Sequence, residues 1–130
     1  MKDCVLTLQQ VKDILKAEVL VGNDQMGRVV TSGFGCDLMS DVLAFAPPGA
    51  LLLTGITNAQ VVRAAQMVDA AAVVFVRGKR PLPTEPVLEM AKDIRLPLLT
   101  TRYLLYDSCG LLYCAGLKGC TEDGGRQGAE

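Results

Sequence analysis

A chain of 130 residues holds one core, and at this size folding buries roughly two thirds of the surface the unfolded chain exposes, which excludes a second independent core. Half of the residues are apolar but only 5% are aromatic and tryptophan is absent, so the core is aliphatic. Thirteen basic against fourteen acidic side chains give no field to draw in nucleic acid or an anionic membrane, and the lack of histidine removes Ser–His and Cys–His pairs and every His-based metal site.

The first segment with a clear period follows Met1-Lys2-Asp3-Cys4. Thr7 and Gln10 form a capping-box pattern, and Leu8, Val11, Ile14 and Leu15 recur at helical spacing. Ala17 to Val21 is a short β-like run closed by the turn residues Gly22-Asn23-Asp24. A second β-like stretch, Arg28 to Gly35, alternates Val29 and Thr31 with Val30 and Ser32, and Gly33 and Gly35 mark a bulge or a sharp exit at its end. Cys36 to Phe45 returns to helical spacing, with Asp37 as its cap and Leu38, Val42 and Phe45 aligned inward, until Pro47-Pro48-Gly49 stops it.

Ala50 to Arg80 is the organising unit. The runs Ala50 to Leu53 and Ala72 to Val76 are apolar without alternation, which predicts strands covered on both faces, and the helix between them, Asn58 to about Asp69, turns Val61, Ala64, Ala65 and Val68 toward the sheet. Thr84-Glu85-Pro86 starts a further helix with Val87, Ala91 and Ile94 inward. Leu96 to Thr100 is another strand, and Arg102 to Ala115 a last helix weakened by Gly110. Strands recurring after helices predict βαβ units: an α/β single domain with a central, largely parallel sheet flanked by helices. The domain is expected to span residues 1–116, and 117–130, ending in TEDGGRQGAE, to form a flexible polar tail.

The segments TLQQVKDILKAEVLVG, CDLMSDVLA, GALLLTG, AAVVFVRG and RLPLLTT, taken in that order, resemble the DRTGG domain over about residues 5–116. The resemblance implies an α/β module similar to the amino-terminal domain of bacterial HPr kinase. It further implies a non-catalytic regulatory or protein-interaction role, frequent dimers, and stand-alone relatives in anaerobic bacteria near hydrogenase and redox components. The charged signature of that family is missing: Ile56-Thr57-Asn58 follows Gly55 where Asp-Arg is expected, and Val76-Arg77-Gly78 stands in place of Thr-Gly-Gly.

Two loops on one rim are the candidate ligand site. Thr54, Gly55, Thr57 and Asn58 lead into a helix N-terminus, where backbone N–H groups and hydroxyls suit a phosphate, and Arg77, Gly78, Lys79 and Arg80 bring positive charge from the adjacent strand end. An ordinary capped turn and a solvated basic loop are the competing readings. Asp37 and Asp41 share a helix face but are more simply a cap and a solvated acid. Cys109, Cys114 and Cys120 lack any metal or cluster spacing, the five cysteines fit reduced thiols, and Tyr103, Tyr106 and Tyr113 read as packing residues. No nucleophile, base and orienting group assemble, so the expectation is a cytoplasmic non-enzyme with neither cofactor nor metal. It is expected to be a homodimer acting through a protein partner or, alternatively, to sense a nucleotide or phosphometabolite at the Gly55 and Gly78 rim.

Overall fold

The computed structural model describes residues 5–78 and 82–121. Lys79, Arg80, Cys4 and the segment 122–130 lie outside the described residues.

The chain begins with β1 (Leu6–Thr7) and α1 (Leu8–Leu15). The capping box holds as expected: Gln10 N–H donates to Thr7 Oγ1 at 3.2 Å, and Thr7 N–H donates to the Gln10 side chain at 2.9 Å. β2 (Glu18–Val21) follows, then a single 3-10 turn at Asn23–Gln25. The expected strand over Arg28 to Gly35 is divided into β3 (Val29–Val30) and β4 (Ser32–Gly35). The break falls at Thr31, whose N–H and hydroxyl both donate to the Gly49 carbonyl. β3 then pairs antiparallel with β1, while β4 enters the main sheet.

α2 (Met39–Phe45) departs furthest from expectation. Its N-cap residue is Leu38, without a side-chain cap, and Met39 and Val42 face inward, while Leu38 and Phe45 are 58% and 65% exposed. Asp37 does not cap it, because its carboxylate is spent elsewhere, as described below. β5 (Ala50–Thr54), α3 (Ala59–Met67), β6 (Ala72–Phe75), α4 (Glu85–Asp93), β7 (Leu98–Thr100) and α5 (Leu105–Cys114) complete the fold. Every residue of β5 and β6 is buried, the signature expected of strands covered on both sides.

The five-stranded sheet has the order β2-β7-β6-β5-β4. β4 to β7 run parallel and β2 closes the β7 edge antiparallel, with a register irregularity between Val19 and Val21. Alternation along the strands divides the core into two layers. Leu52, Val73, Phe75 and Leu98 pack with α2, α3 and α4, whereas Leu51, Leu53, Val74 and Leu99 pack with α1 and the Leu112 side of α5. The result is an α/β sandwich of helices on both faces of a mostly parallel sheet.

Gly33 and Gly35 answer to close approach and not to a bulge. A Cβ on Gly35 would lie 2.6 Å from Cys109 Sγ, and one on Gly33 would lie 3.3 Å from Leu117 Cδ2, so these glycines let α5 and the segment after it lie against β4. That segment lies against the domain. Leu117 is 3% exposed, Gly33 N–H donates to the Lys118 carbonyl at 2.8 Å, and Gly119 bridges Gly33. The packed chain therefore continues to Cys120. Among the described residues no helix is long and apolar enough to cross a membrane.

Candidate functional site

In a parallel sheet the carboxyl ends of the strands present the loops that reach a ligand. Here that rim carries the residues after β4, β5, β6 and β7, joined by Lys16 and Glu18 at the start of antiparallel β2.

At the β5 end, the cradle expected to hold an anion already holds one from the chain itself. Asp37, two residues beyond β4, accepts from Thr54 Oγ1 at 2.8 Å and from Gly55 N–H at 2.8 Å. Thr54 is 1% exposed, and its hydroxyl also accepts from Ile56 N–H at 3.1 Å. Both donors of Thr54-Gly55 are thus engaged by a fixed carboxylate, and charge-assisted bonds of this kind are the stronger class. Asp37 therefore neither caps α2 nor pairs with Asp41. Asn58 caps α3, accepting from Gln60 N–H at 3.0 Å, and Thr57 is half-buried in the same turn.

The β6 end folds across this turn. Arg77 adopts φ +77, a left-handed conformation uncommon for a residue with a side chain, and its N–H donates to the Tyr103 carbonyl at 2.8 Å. Its guanidinium lies over Gly55, 3.5 Å from the Gly55 carbonyl, and would be only 2.8 Å from a Cβ there. The structure thus brings Gly55 and Arg77 together, as expected of neighbouring strand ends, but the arginine covers the turn. Gly78 has φ +52, and a Cβ there would lie 3.0 Å from Arg102 Cα, so a side chain is disfavoured both by conformation and by space.

The open part of the rim lies one strand further on. Lys16, Glu18, Gly78, Leu82, Thr100, Thr101 and Arg102 line a crevice of about 460 Å³. Thr101 is locked, donating from Oγ1 to the Leu15 carbonyl at 2.7 Å and accepting from Tyr103 N–H. Thr100 Oγ1, by contrast, is enclosed without a hydrogen-bond partner among the described residues. Lys16 and Arg102 make no ion pair among the described residues, although Glu18 places one carboxylate in the same lining. Chain position could have found these residues: Asp37, Arg77 and Arg102 each stand two residues past a parallel strand.

The four described thiols, Cys36, Cys109, Cys114 and Cys120, are free. Burial pushes Cys109 above its ordinary value of 9.0, and burial does the same to Cys120, partly opposed by its hydrogen bond with Ser32. Neither is an activated nucleophile. Among the described residues no group of three or more Cys, Asp or Glu side chains is gathered to hold a metal ion. Of the three tyrosines expected to pack, only Tyr103 does so; Tyr106 and Tyr113 are 88% and 58% exposed, with Lys118 Nζ 5.1 Å from the Tyr113 ring centroid.

No protein-family model matches the chain, and no curated protein matches it. Among solved structures it is similar to the CBS and DRTGG domains of the regulatory region of Clostridium perfringens pyrophosphatase, determined in complex with the activator diadenosine tetraphosphate. The identity is 16% and the TM-score 0.68, over 90% of this chain and 51% of that one, so the chain spans about half the length of that structure. The α/β architecture read from the apolar runs and the architecture of that regulatory region are related folds.

Proposed function

We propose that this chain is a non-catalytic regulatory or protein-interaction module of DRTGG type, cytoplasmic, that works as a homodimer. One observation carries the reading: the outer side of α5 is an apolar surface, with Leu104, Tyr106, Leu111 and Tyr113 at 57%, 88%, 39% and 58% exposure, on a domain whose Gly55 cradle is already filled by Asp37. Large exposed apolar patches mark interaction sites. The fold shared with a regulatory region supports regulation over catalysis, as does the absence of histidine. A link to a redox or hydrogenase system in an anaerobic bacterium rests on the family resemblance only. Sedimentation velocity of the full chain over a wide concentration range tests the dimer: the expected species has twice the 13.9 kDa chain mass, and 13.9 kDa particles alone at high concentration overturn it.

The crevice beside β7 favours a second reading, a nucleotide or phosphometabolite sensor. The Thr100 hydroxyl, without a partner among the described residues, lines the crevice with Lys16 and Arg102 and supports an anionic ligand, and the similar pyrophosphatase region was complexed with a nucleotide activator. Under this reading Arg77 and Gly78 of the expected residues border the ligand, Lys16, Thr100 and Arg102 join them, and Thr54, Gly55 and Asn58 hold the rim in shape. Melting with diadenosine tetraphosphate, ATP, sugar phosphates and inorganic phosphate tests it. A true ligand at a hundredfold excess over its Kd adds about 2.7 kcal/mol. A flat response to the whole panel at millimolar concentration overturns the sensor, as does a shift that survives Lys16→Ala with Arg102→Ala.

A further inference from the structure

We infer that the crevice beside β7 takes a nucleoside phosphate, with the phosphate on Lys16 and Arg102 and the base against Tyr103 and Leu15. The inference rests on the sensor reading above and names its ligand class.

The crevice has a neighbour. A second cavity, of about 360 Å³, is lined by Leu15, Lys16, Arg102 and Tyr103. Lys16 and Arg102 border both spaces, so two chambers of unlike character adjoin at one pair of positive charges. The first holds Thr100, Thr101 and Glu18 and is polar. Apart from the shared cations, the second presents an aliphatic and an aromatic side chain. Apolar walls with a few convergent polar groups are what small-molecule sites offer.

The apolar walls are held in place by the chain itself. Tyr103 N–H donates to Thr101 Oγ1 at 3.3 Å, and Thr101 Oγ1 donates to the Leu15 carbonyl at 2.7 Å. At its other end Tyr103 accepts from Arg77 N–H at 2.8 Å. Arg77 makes that bond from a left-handed backbone, φ +77, a conformation that persists only where the surroundings enforce it. The Tyr103 ring also packs in part against the cluster that contains Leu15 and Leu112. Walls fixed before binding spare a ligand the cost of ordering them.

The two chambers together select the ligand. Arginine offers a planar fork and lysine a point charge, a pair suited to phosphate. Inorganic phosphate or a sugar phosphate would leave Leu15 and Tyr103 in water, whereas a base covers them and stacks on an aromatic ring. Glu18 stands directly opposite Thr100 in the β2–β7 ladder, which sets a carboxylate beside a hydroxyl on one face. The carboxylate accepts and the hydroxyl both gives and accepts, a combination that suits the hydroxyl groups of a ribose.

Calorimetric titration of the full chain with AMP, GMP, ribose 5-phosphate and phenyl phosphate tests the assignment. The better of the two nucleotides binds roughly tenfold or more tighter than ribose 5-phosphate. Tyr103→Leu raises the nucleotide Kd by roughly tenfold and leaves that of ribose 5-phosphate within about twofold, and Tyr103→Phe, which keeps the ring, restores the nucleotide Kd to within about twofold of the parent. Ribose 5-phosphate bound as tightly as the nucleotides, or Tyr103→Leu indifferent to them, overturns the base chamber and leaves an anion sensor standing. An equal loss for nucleotide and ribose 5-phosphate in Tyr103→Leu shows a packing residue and overturns it too. Phenyl phosphate bound more tightly than either nucleotide replaces the nucleoside by another aryl phosphate and counts against it. No binding of any probe at millimolar concentration overturns both this inference and the sensor.

Discussion

α3 and α5 lie on opposite faces of the same sheet, yet they are held by different means. α3 is specified locally: Asn58 caps it, the Asp37–Thr54–Gly55 network fixes the turn before it, and Gln60, Arg63 and Gln66 face solvent opposite buried Val61, Val62, Ala64 and Ala65. α5 begins at Leu104 with no side-chain cap, has Gly110 at its middle, and is apolar both inside and out. Local signals that would make such a sequence helical are weak, so its position depends on burial against the sheet and against whatever covers its outer side. The comparison teaches that one helix is fixed by signals along its own sequence and the other by what it packs against.

The largest expected effect removes the burial that α5 relies on. Leu112 is 2% exposed between α5, α1 and the sheet, and Leu112→Ala costs about 3 kcal/mol through lost transfer free energy and the cavity left behind. Chemical denaturation measures the loss. Hydrogen exchange sharpens it, since protection falls first in residues 105–114 while α3 stays protected. Uniform loss across both helices would mean that α5 is no more dependent on packing than α3.

How much of this was legible in the sequence follows from the same division. Where structure is fixed by neighbours along the chain, the residues announced it: the Thr7 and Gln10 box, the Asn58 cap, and the uninterrupted apolar runs of β5 and β6. Where partners are distant, they did not. Thr31 splits one expected strand because Gly49, eighteen residues away, takes both its donors, and Asp37 leaves its expected helix for Gly55 at the same separation. Gly33 and Gly35 resembled a strand's loose end and are docking points for Leu117 and Cys109. In the candidate site the rim was foreseeable from strand order of the βαβ kind. That its β5 half is closed by an internal carboxylate, and that the open crevice involves Lys16 just past the first helix, required the fold.

A second prediction bears on the turn before α3. Asp37→Ala strips the acceptor from the buried Thr54 hydroxyl and from Gly55 N–H, and leaving such donors unpaired costs about 2 kcal/mol. Asp37→Asn keeps an acceptor oxygen and costs less. If thermal denaturation finds the two variants equal to the parent, the network does not hold the turn.

Next in size is the approach of α5 to β4. Gly35→Ala drives a methyl to within 2.6 Å of Cys109 Sγ and 3.2 Å of Leu105 Cδ1, an overpacking worth about 1.5 kcal/mol. Removing the obstructing sulfur in Gly35→Ala with Cys109→Ala recovers most of the loss, a coupling that a double-mutant cycle reads directly. Additive losses would place the strain in the glycine's backbone and not in the docking of α5.

The smallest effect separates the two helices at their first turns. Asn58→Ala removes a working cap from α3 and costs about 1 kcal/mol, which for a domain near this size lowers Tm by roughly 3 to 5 °C. Leu104 occupies the same place before α5, with φ −78 and ψ 170, the extended geometry a capping residue adopts, but its side chain cannot accept a hydrogen bond. Leu104→Asp supplies an acceptor and a negative charge at the helix start, while giving up an apolar side chain that is 57% exposed. In the isolated domain, at concentrations too low for association, the gain is about 0.5 kcal/mol and Tm rises slightly. At high concentration the same substitution weakens self-association, since it places a charge at the margin of the outer apolar surface. Opposite signs in the two regimes are the expected outcome, and a substitution that stabilises the chain equally in both would show that the surface beside Leu104 stays in water.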